Sequence, residues 1–264
     1  MTLFQMLILA IVQGVSEFLP ISSSGHLILV PKVMDFADQG PMLDIAVHVG
    51  SLLAILVYFF RDVVMLGRGG LATVGIGQAP AERKLFWWII VGTVPAVIAG
   101  LFLKTGGYLE GFRSTDLVAA NLIIYGLLLG VADHFGKQVK SFEDMSWKDG
   151  LVVGVAQALA LIPGTSRSGV TMTAARFLGY SRVEAARFSF LLSIPAVAGA
   201  GVLIVPDLME AGSEMIREAL ITGALTFVAA FLTMTFLMKF LRNASMLVFV
   251  IYRVAIGALL LYLF

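Results

Sequence analysis

An all-α, polytopic membrane fold is what this 264-residue chain predicts, with about six spanning helices, two re-entrant helical hairpins and an inverted-topology repeat. Three observations carry that expectation. The composition is too apolar for water, six apolar stretches approach the length of a bilayer crossing, and two shorter apolar runs each end in a proline and a cluster of small polar residues.

Hydrophobic residues make up 59% of the chain and charged residues 13%, with a mean hydropathy of +0.96. A soluble domain is nearer half apolar and a quarter charged. The net charge of +1 gives no basic footprint for nucleic acid. The eight prolines and 27 glycines are scattered through apolar runs rather than gathered in a linker, so residues 1–264 read as a single integral membrane domain, with repeat halves of roughly 1–132 and 133–264. The absence of cysteine excludes disulfides, thiolate metal sites and cysteine nucleophiles. The first apolar stretch lacks a basic leader and a small-residue cleavage site, and Glu17 and His26 follow it directly, so it is not read as a removable signal.

A helix needs roughly 20 apolar residues to cross ~30 Å of hydrocarbon, and ~17 at the lower limit. Six stretches come close: Leu43 to Phe60, Leu85 to Leu103, Leu117 to Ala132, Phe188 to Val205, Ala219 to Met238 and Ala244 to Phe264. Leu3 to Val12 and Leu151 to Ile162 are too short. They lead into "VQGVSEFLPISSSGH", from Val12, and "AQALALIPGTSRSG", from Ala156, which share a glutamine (Gln13, Gln157), a following proline (Pro20, Pro163) and a Ser/Thr/Gly turn. Non-helical backbone at membrane depth survives only where it is packed in protein or lines a polar cavity. Two re-entrant hairpins with polar tips inside the protein satisfy that condition, and paired interrupted segments point to an inverted repeat with its site at the repeat interface.

Loop charges give the orientation. Lys and Arg collect in Arg61 to Lys84, in Lys137 to Lys148, around Arg176, Arg182 and Arg187, and at Lys239 and Arg242, whereas Asp207 to Glu218 is acidic apart from Arg217. The positive-inside rule places the first group in the cytoplasm. The first hairpin then enters from outside, the second from the cytoplasm, and both termini lie outside. Lys104 and Arg113, in an outside loop, run against the trend.

The polar residues inside this apolar frame are the candidates for chemistry. Glu17 lies one helical turn after Gln13, and an intramembrane carboxylate is a functional-site candidate by default. Ser22, Ser23, Ser24 and Gly25 supply hydroxyls and free N–H groups, with His26 three residues beyond Ser23. A serine beside a base is an activated nucleophile, while serine before a helix is also a preferred cap. In the second hairpin, Arg167 stands among Thr165, Ser166, Ser168 and Gly169, with Thr171 just beyond. A guanidinium at a helix N-terminus is suited to phosphate; an arginine that snorkels to the interface is the bland alternative. Asp44 and His48 form an i,i+4 pair read as structural or as lining the cavity entrance. Arg253, deep in the last span, must pair or face the cavity.

Gln13-x-x-x-Glu17, "FLPISSSGH", "PGTSRSG", "RFSFLLSIP" from Arg187 to Pro195, and the ending Tyr252-Arg253 followed by Gly257 together resemble the undecaprenyl-diphosphatase family of bacterial membranes, also called the bacitracin-resistance protein. The match covers nearly the whole chain. The family's first motif admits Glu or Gln at its first position; Gln13 leaves Glu17 as the one carboxylate there. The resemblance implies removal of the terminal phosphate of undecaprenyl diphosphate in the bacterial plasma (inner) membrane, bacitracin resistance, and dependence on a divalent cation, Mg2+ or Ca2+, held with Glu17. It implies a catalytic set of Glu17, Ser23, His26 and Arg167. Gln13, Ser22, Ser24, Gly25, Thr165, Ser166, Ser168, Gly169 and Thr171 are the expected substrate contacts, in a site opening to the extracytoplasmic side. The expected partners are the lipid substrate and the membrane, with no nucleic acid; a homodimer is compatible with the sequence. Attack on the outer phosphorus by Ser23 with His26 as base, by His26, or by water activated by His26 or Glu17 all remain open.

Two rivals differ in class. The phosphatidic-acid-phosphatase superfamily also carries "SSGH" and "SR", but its Lys-x6-Arg-Pro is missing and position 173 is Thr rather than His. An isoprenoid-lipid flippase or transporter without phosphatase chemistry would share the broken helices and the inverted repeat.

Overall fold

The structure, a computed structural model, describes residues 2–27, 40–107, 112, 114–202 and 212–263. Among these residues it is all-helical. α1 (Leu3–Ser16) starts with a capping box in which Thr2 and Gln5 exchange side-chain and backbone bonds. The first tip, residues 17–22, follows, and a helical turn resumes at residues 23–27. α2 (Gly40–Tyr58) runs into α3 (Phe60–Thr73) across an 88° bend. α4 (Pro80–Thr105) has proline at its start, where the missing N–H costs nothing. α5 (Thr115–Phe135) is capped by Ser114, and α6 (Trp147–Leu159) by a Ser146/Asp149 capping box. The second tip, residues 160–166, leads into α7 (Arg167–Phe177), then α8 (Arg182–Val202), α9 (Ser213–Phe240) and α10 (Leu247–Leu263).

Three of these helices, α4, α5 and α9, are long and apolar enough to cross a membrane, and the bent α2–α3 pair makes a fourth if taken as one span. The six expected stretches are thus partly matched. The stretch Leu43 to Phe60 ends at the bend, α10 covers 17 residues, and the last residues of the Phe188 to Val205 stretch lie outside the described ones, as does Arg113.

Apolar side chains face both inward and outward. α1 buries Gln13 and Ser16 along with Met6, Leu9 and Ala10, while Leu3, Phe4, Leu7 and Ile11 face outward, as expected when the solvent is hydrocarbon. α2 and α1 pack on α9, α6 on α4, and α10 on α5. Backbones come into contact at several crossings. A Cβ at Gly50 would stand 2.3 Å from the Gly223 carbonyl, and one at Gly154 would stand 2.3 Å from that of Gly92. Without a hydrophobic drive between helices in lipid, such close approach supplies the attraction. Between α2, α8 and α9 lies an apolar cavity of about 840 Å³, lined in part by Val49, Leu53, Val197, Gly201, Leu220 and Phe227.

At the end that carries the cationic loops, Asp133 binds Arg182 through two bonds of 2.6 and 3.0 Å, Arg176 at 3.3 Å, and the Met246 N–H at 2.9 Å. Arg176 is fully buried and also donates to the carbonyls of Asp133, Gly136, Lys137 and Tyr180. Arg187 pairs with Asp62 and lies 4.3 Å over the Phe142 ring. In the loop before α6, the backbone N–H and hydroxyl of Ser141 hold the Asp144 carboxyl below its ordinary range.

Candidate functional site

Both tips turn by the same device. Ser22 and Ser166 are the two non-glycine residues with positive φ among those described, at 76° and 70°. Each caps the helix that follows: the Ser22 hydroxyl accepts from the Gly25 N–H at 3.4 Å and the Ser166 hydroxyl from that of Gly169 at 3.1 Å. Each also stands beside a second serine hydroxyl, Ser24 at 3.3 Å and Ser168 at 3.4 Å. A left-handed backbone at serine costs of order 1–3 kcal/mol and persists only where its surroundings impose it.

Arg253 is a large part of those surroundings. Fully buried on α10, it donates to the carbonyls of Pro20 (3.2 Å) in the first tip and of Gly164 (3.0 Å) and Thr165 (2.9 Å) in the second. Its other bonds go to the carbonyls of Asn121 (3.2 Å) and Leu122 (3.1 Å) on α5. The partner demanded of this intramembrane charge is therefore a set of peptide dipoles. Asn121 adds an amide bond to the Pro163 carbonyl at 2.8 Å, and Ser168 donates to the Leu19 carbonyl at 3.2 Å, tying one tip to the other.

On this scaffold the charged candidates meet. Arg167 Nη2 donates to Glu17 Oε1 at 2.6 Å, and its Nη1 donates to the Ser189 carbonyl at 3.2 Å. Glu17 Oε2 accepts from the Ser23 hydroxyl at 2.6 Å and from Gln13 Nε2 at 3.1 Å. Thr171 bonds the Ser189 hydroxyl at 2.7 Å, bracing α7 against α8. Glu17 is 8% exposed and Arg167 16%, so the pair is recessed yet reachable.

His26 is placed otherwise than its spacing suggests. Its Nδ1 lies 2.7 Å from the Ser22 carbonyl and its Nε2 2.6 Å from the Tyr252 hydroxyl. A carbonyl can only accept, so Nδ1 carries the proton, Nε2 is the acceptor, and the Tyr252 hydroxyl donates. The base that Ser23 touches is Glu17. Thr165, fully buried, has no partner for its hydroxyl among the described residues. Sequence reasoning gave Asn121, Ser189 and Tyr252 no role; the last two stand inside stretches that carry the family resemblance, which was the signal available for them.

Two loop tips, clamped by a buried arginine, bring one carboxylate into contact with both a guanidinium and a hydroxyl. The family model described as bacitracin resistance protein BacA matches residues 6–259. An undecaprenyl-diphosphatase of Erythrobacter litoralis is 64% identical, over the full length of both chains. Others, of Alteromonas mediterranea and Ruegeria pomeroyi, are 48% and 44% identical, each covering 99% of this chain and 98% of the relative. The chain belongs to the BacA family of bacitracin resistance proteins.

Proposed function

We propose that this chain hydrolyses undecaprenyl diphosphate to undecaprenyl phosphate and inorganic phosphate, in the headgroup site where the two tips meet. It is an enzyme, an undecaprenyl-diphosphatase, and the phosphatase reading displaces that of a lipid transporter without chemistry. The observation that carries the site assignment is the contact of Ser23, Glu17 and Arg167 at 2.6 Å spacings within an otherwise lipid-facing molecule.

Phosphoryl transfer needs mostly positioning and charge neutralisation. Arg167 and the N–H groups at the start of α7 receive the diphosphate, with Ser22, Ser24, Gly25, Thr165, Ser166, Ser168, Gly169 and Thr171 shaping the cradle. The incoming phosphate competes with Glu17 for Arg167. Ser23 Oγ then bonds to the outer phosphorus, passing its proton to Glu17 Oε2, while the bond from that phosphorus to the bridging oxygen breaks and the lipid monophosphate leaves with the electron pair. Water hydrolyses the phosphoserine and restores the hydroxyl. The proton of that water passes to the Tyr252 hydroxyl as the hydroxyl gives its own to His26 Nε2.

The donor set fits a divalent cation such as Mg2+ or Ca2+, because the amide oxygen of Gln13 is buried beside Glu17 with no hydrogen-bond partner among the described residues. Glu17 and Gln13 would hold such an ion; among the described residues no group of three or more His, Asp or Glu side chains surrounds a point. When bound, the ion neutralises charge on the phosphate oxygens.

The isoprenoid tail has a path. Along α8, Ser189, Ser193, Val197 and Gly201 recur every four residues, on one face. That face runs from the hydroxyl that Thr171 touches to the lining of the apolar cavity. The matching devices of the two tips, and the pairing of α1 with α9 and of α6 with α4, support re-entrant hairpins related by an inverted repeat. The cationic loops support a bacterial inner-membrane orientation with the site open to the extracytoplasmic side.

The test is phosphate release from a synthetic isoprenyl diphosphate by detergent-purified protein. Release that stops with EDTA and returns with added cation is expected; no phosphate release under any cation overturns the reading.

A further inference from the structure

A second recess, polar where the tail cavity is apolar, opens where α5 ends and α8 and α10 begin. It encloses about 250 Å³ and is lined in part by Asp133, His134, Gln138, Arg182, Ser245 and Leu247. Its charge is unbalanced. Asp133 Oδ1 accepts from Arg176 Nε at 3.3 Å and Arg182 Nε at 2.6 Å, and its Oδ2 accepts from Arg182 Nη2 at 3.0 Å and the Met246 N–H at 2.9 Å. The carboxylate is saturated, and two guanidiniums against it leave one positive charge in excess. Other acids of this end are engaged elsewhere, Asp149 with Lys140, and Asp62 and Glu184 with Arg187.

Arg182 also has donors to spare. Its Nε and Nη2 serve Asp133, its Nη1 has no acceptor among the described residues, and its side chain is 20% exposed. A guanidinium bound to a carboxylate along one edge keeps a second edge for a phosphate oxygen. The Ser245 hydroxyl accepts from the Leu247 N–H at 3.4 Å and keeps its own O–H to donate. Phe135, Val139 and Leu247, in or beside the lining, are strongly exposed, a surface suited to acyl chains. Lys137 and Arg242, also exposed, are close neighbours in the chain. The volume admits a phosphodiester but falls below the roughly 300 Å³ of the smallest drug-sized pockets, so hydrocarbon chains stay outside, against those apolar side chains. Basic pockets between helices on the cytoplasmic side take lipid headgroups in this way.

We propose that this recess binds the phosphodiester headgroup of an anionic lipid, drawn from the leaflet that the cationic loops face and separate from the site at the tips. The single negative charge of such a lipid matches the one positive charge in excess. Asp133, on α5, holds the start of α8 through Arg182 and the start of α10 through Met246. A bound headgroup therefore tightens a junction of three helices, one of which carries Tyr252 and Arg253.

The test titrates the full chain, in neutral detergent, with fluorescent phosphatidylglycerol, phosphatidylcholine and inorganic phosphate. One phosphatidylglycerol per chain should bind, about tenfold tighter than phosphatidylcholine, and should raise the melting temperature. Arg167→Ala, which disables the site at the tips, should leave that binding unchanged. Gln138→Glu should weaken it about fivefold and Gln138→Lys should tighten it about fivefold, the worth of one charge near a membrane surface; the gain is one that a misfolded protein cannot mimic. Gln78→Glu, an equal change of charge in the exposed loop before α4, should alter nothing. Equal affinity for phosphatidylcholine, loss of binding in Arg167→Ala, or an effect of Gln78→Glu as large as that of Gln138→Glu would each overturn the proposal. Displacement of the lipid by equimolar inorganic phosphate would give the recess to a free anion and overturn it as a lipid site.

Discussion

Ser23, Glu17 and Arg167 touch because each would be costly in lipid alone. An intramembrane acid and an intramembrane base find each other or face water, which is why Glu17 and Arg167 were legible before any geometry. Arg167→Ala should lower the rate of phosphate release roughly 10²- to 10³-fold, the usual loss when a transition-state donor is removed. Ser23→Ala should lose roughly 10³-fold or more, as expected of a nucleophile; a full rate would leave only the histidine and water routes. The partner of His26 was not legible, because Tyr252 is 226 residues away and local spacing favoured Ser23. Tyr252→Phe deletes one donor and should slow turnover by about fivefold to tenfold, the worth of one hydrogen bond, with protein yield and melting temperature unchanged.

At the level of the elements, short apolar runs with a proline and small polar residues identified both tips, since backbone that leaves a helix at depth needs a polar lining. What no sequence pattern announces is how the tips are held. Arg253 is clamped by carbonyls, and a carbonyl is supplied by every residue type. Replacing it with Lys keeps the charge but loses the planar fork, and replacing it with Met leaves several carbonyls bare at roughly 1–3 kcal/mol each. Both variants should melt at lower temperature in detergent, Met more than Lys. A melting temperature equal to that of the unmodified chain would remove Arg253 from its role as clamp. The bend between α2 and α3 was equally hidden, because Tyr58, Phe59 and Phe60 are apolar enough to continue either a span or an interfacial helix.

For the molecule as a whole, composition pointed to the all-helical membrane class, and hydropathy fell inside most helices while missing the first turns of α8 and α9. The pairing of helices was not legible, since α1 meets α9, and α4 meets α6, across long separations. Glycine counts alone did not say which glycines sit at crossings. Gly154→Leu, at a position where even a Cβ would stand 2.3 Å from the Gly92 carbonyl, should force α4 from α6 and cost about 1–3 kcal/mol or more. The measurable result is a lower melting temperature together with lost activity, because α6 carries the second tip.

The carbonyl clamp also bears on how a turnover ends. The five hydrogen bonds that Arg253 makes among the described residues go to neutral peptide groups, so its cationic field under the tips is softened but not cancelled by them. Coulomb attraction scales with the charge of the visitor. A headgroup that has just shed a phosphoryl group carries less negative charge than the one that entered, so the same fixed field that draws the reactant inward loosens its hold on the lipid product and biases exchange toward a fresh molecule.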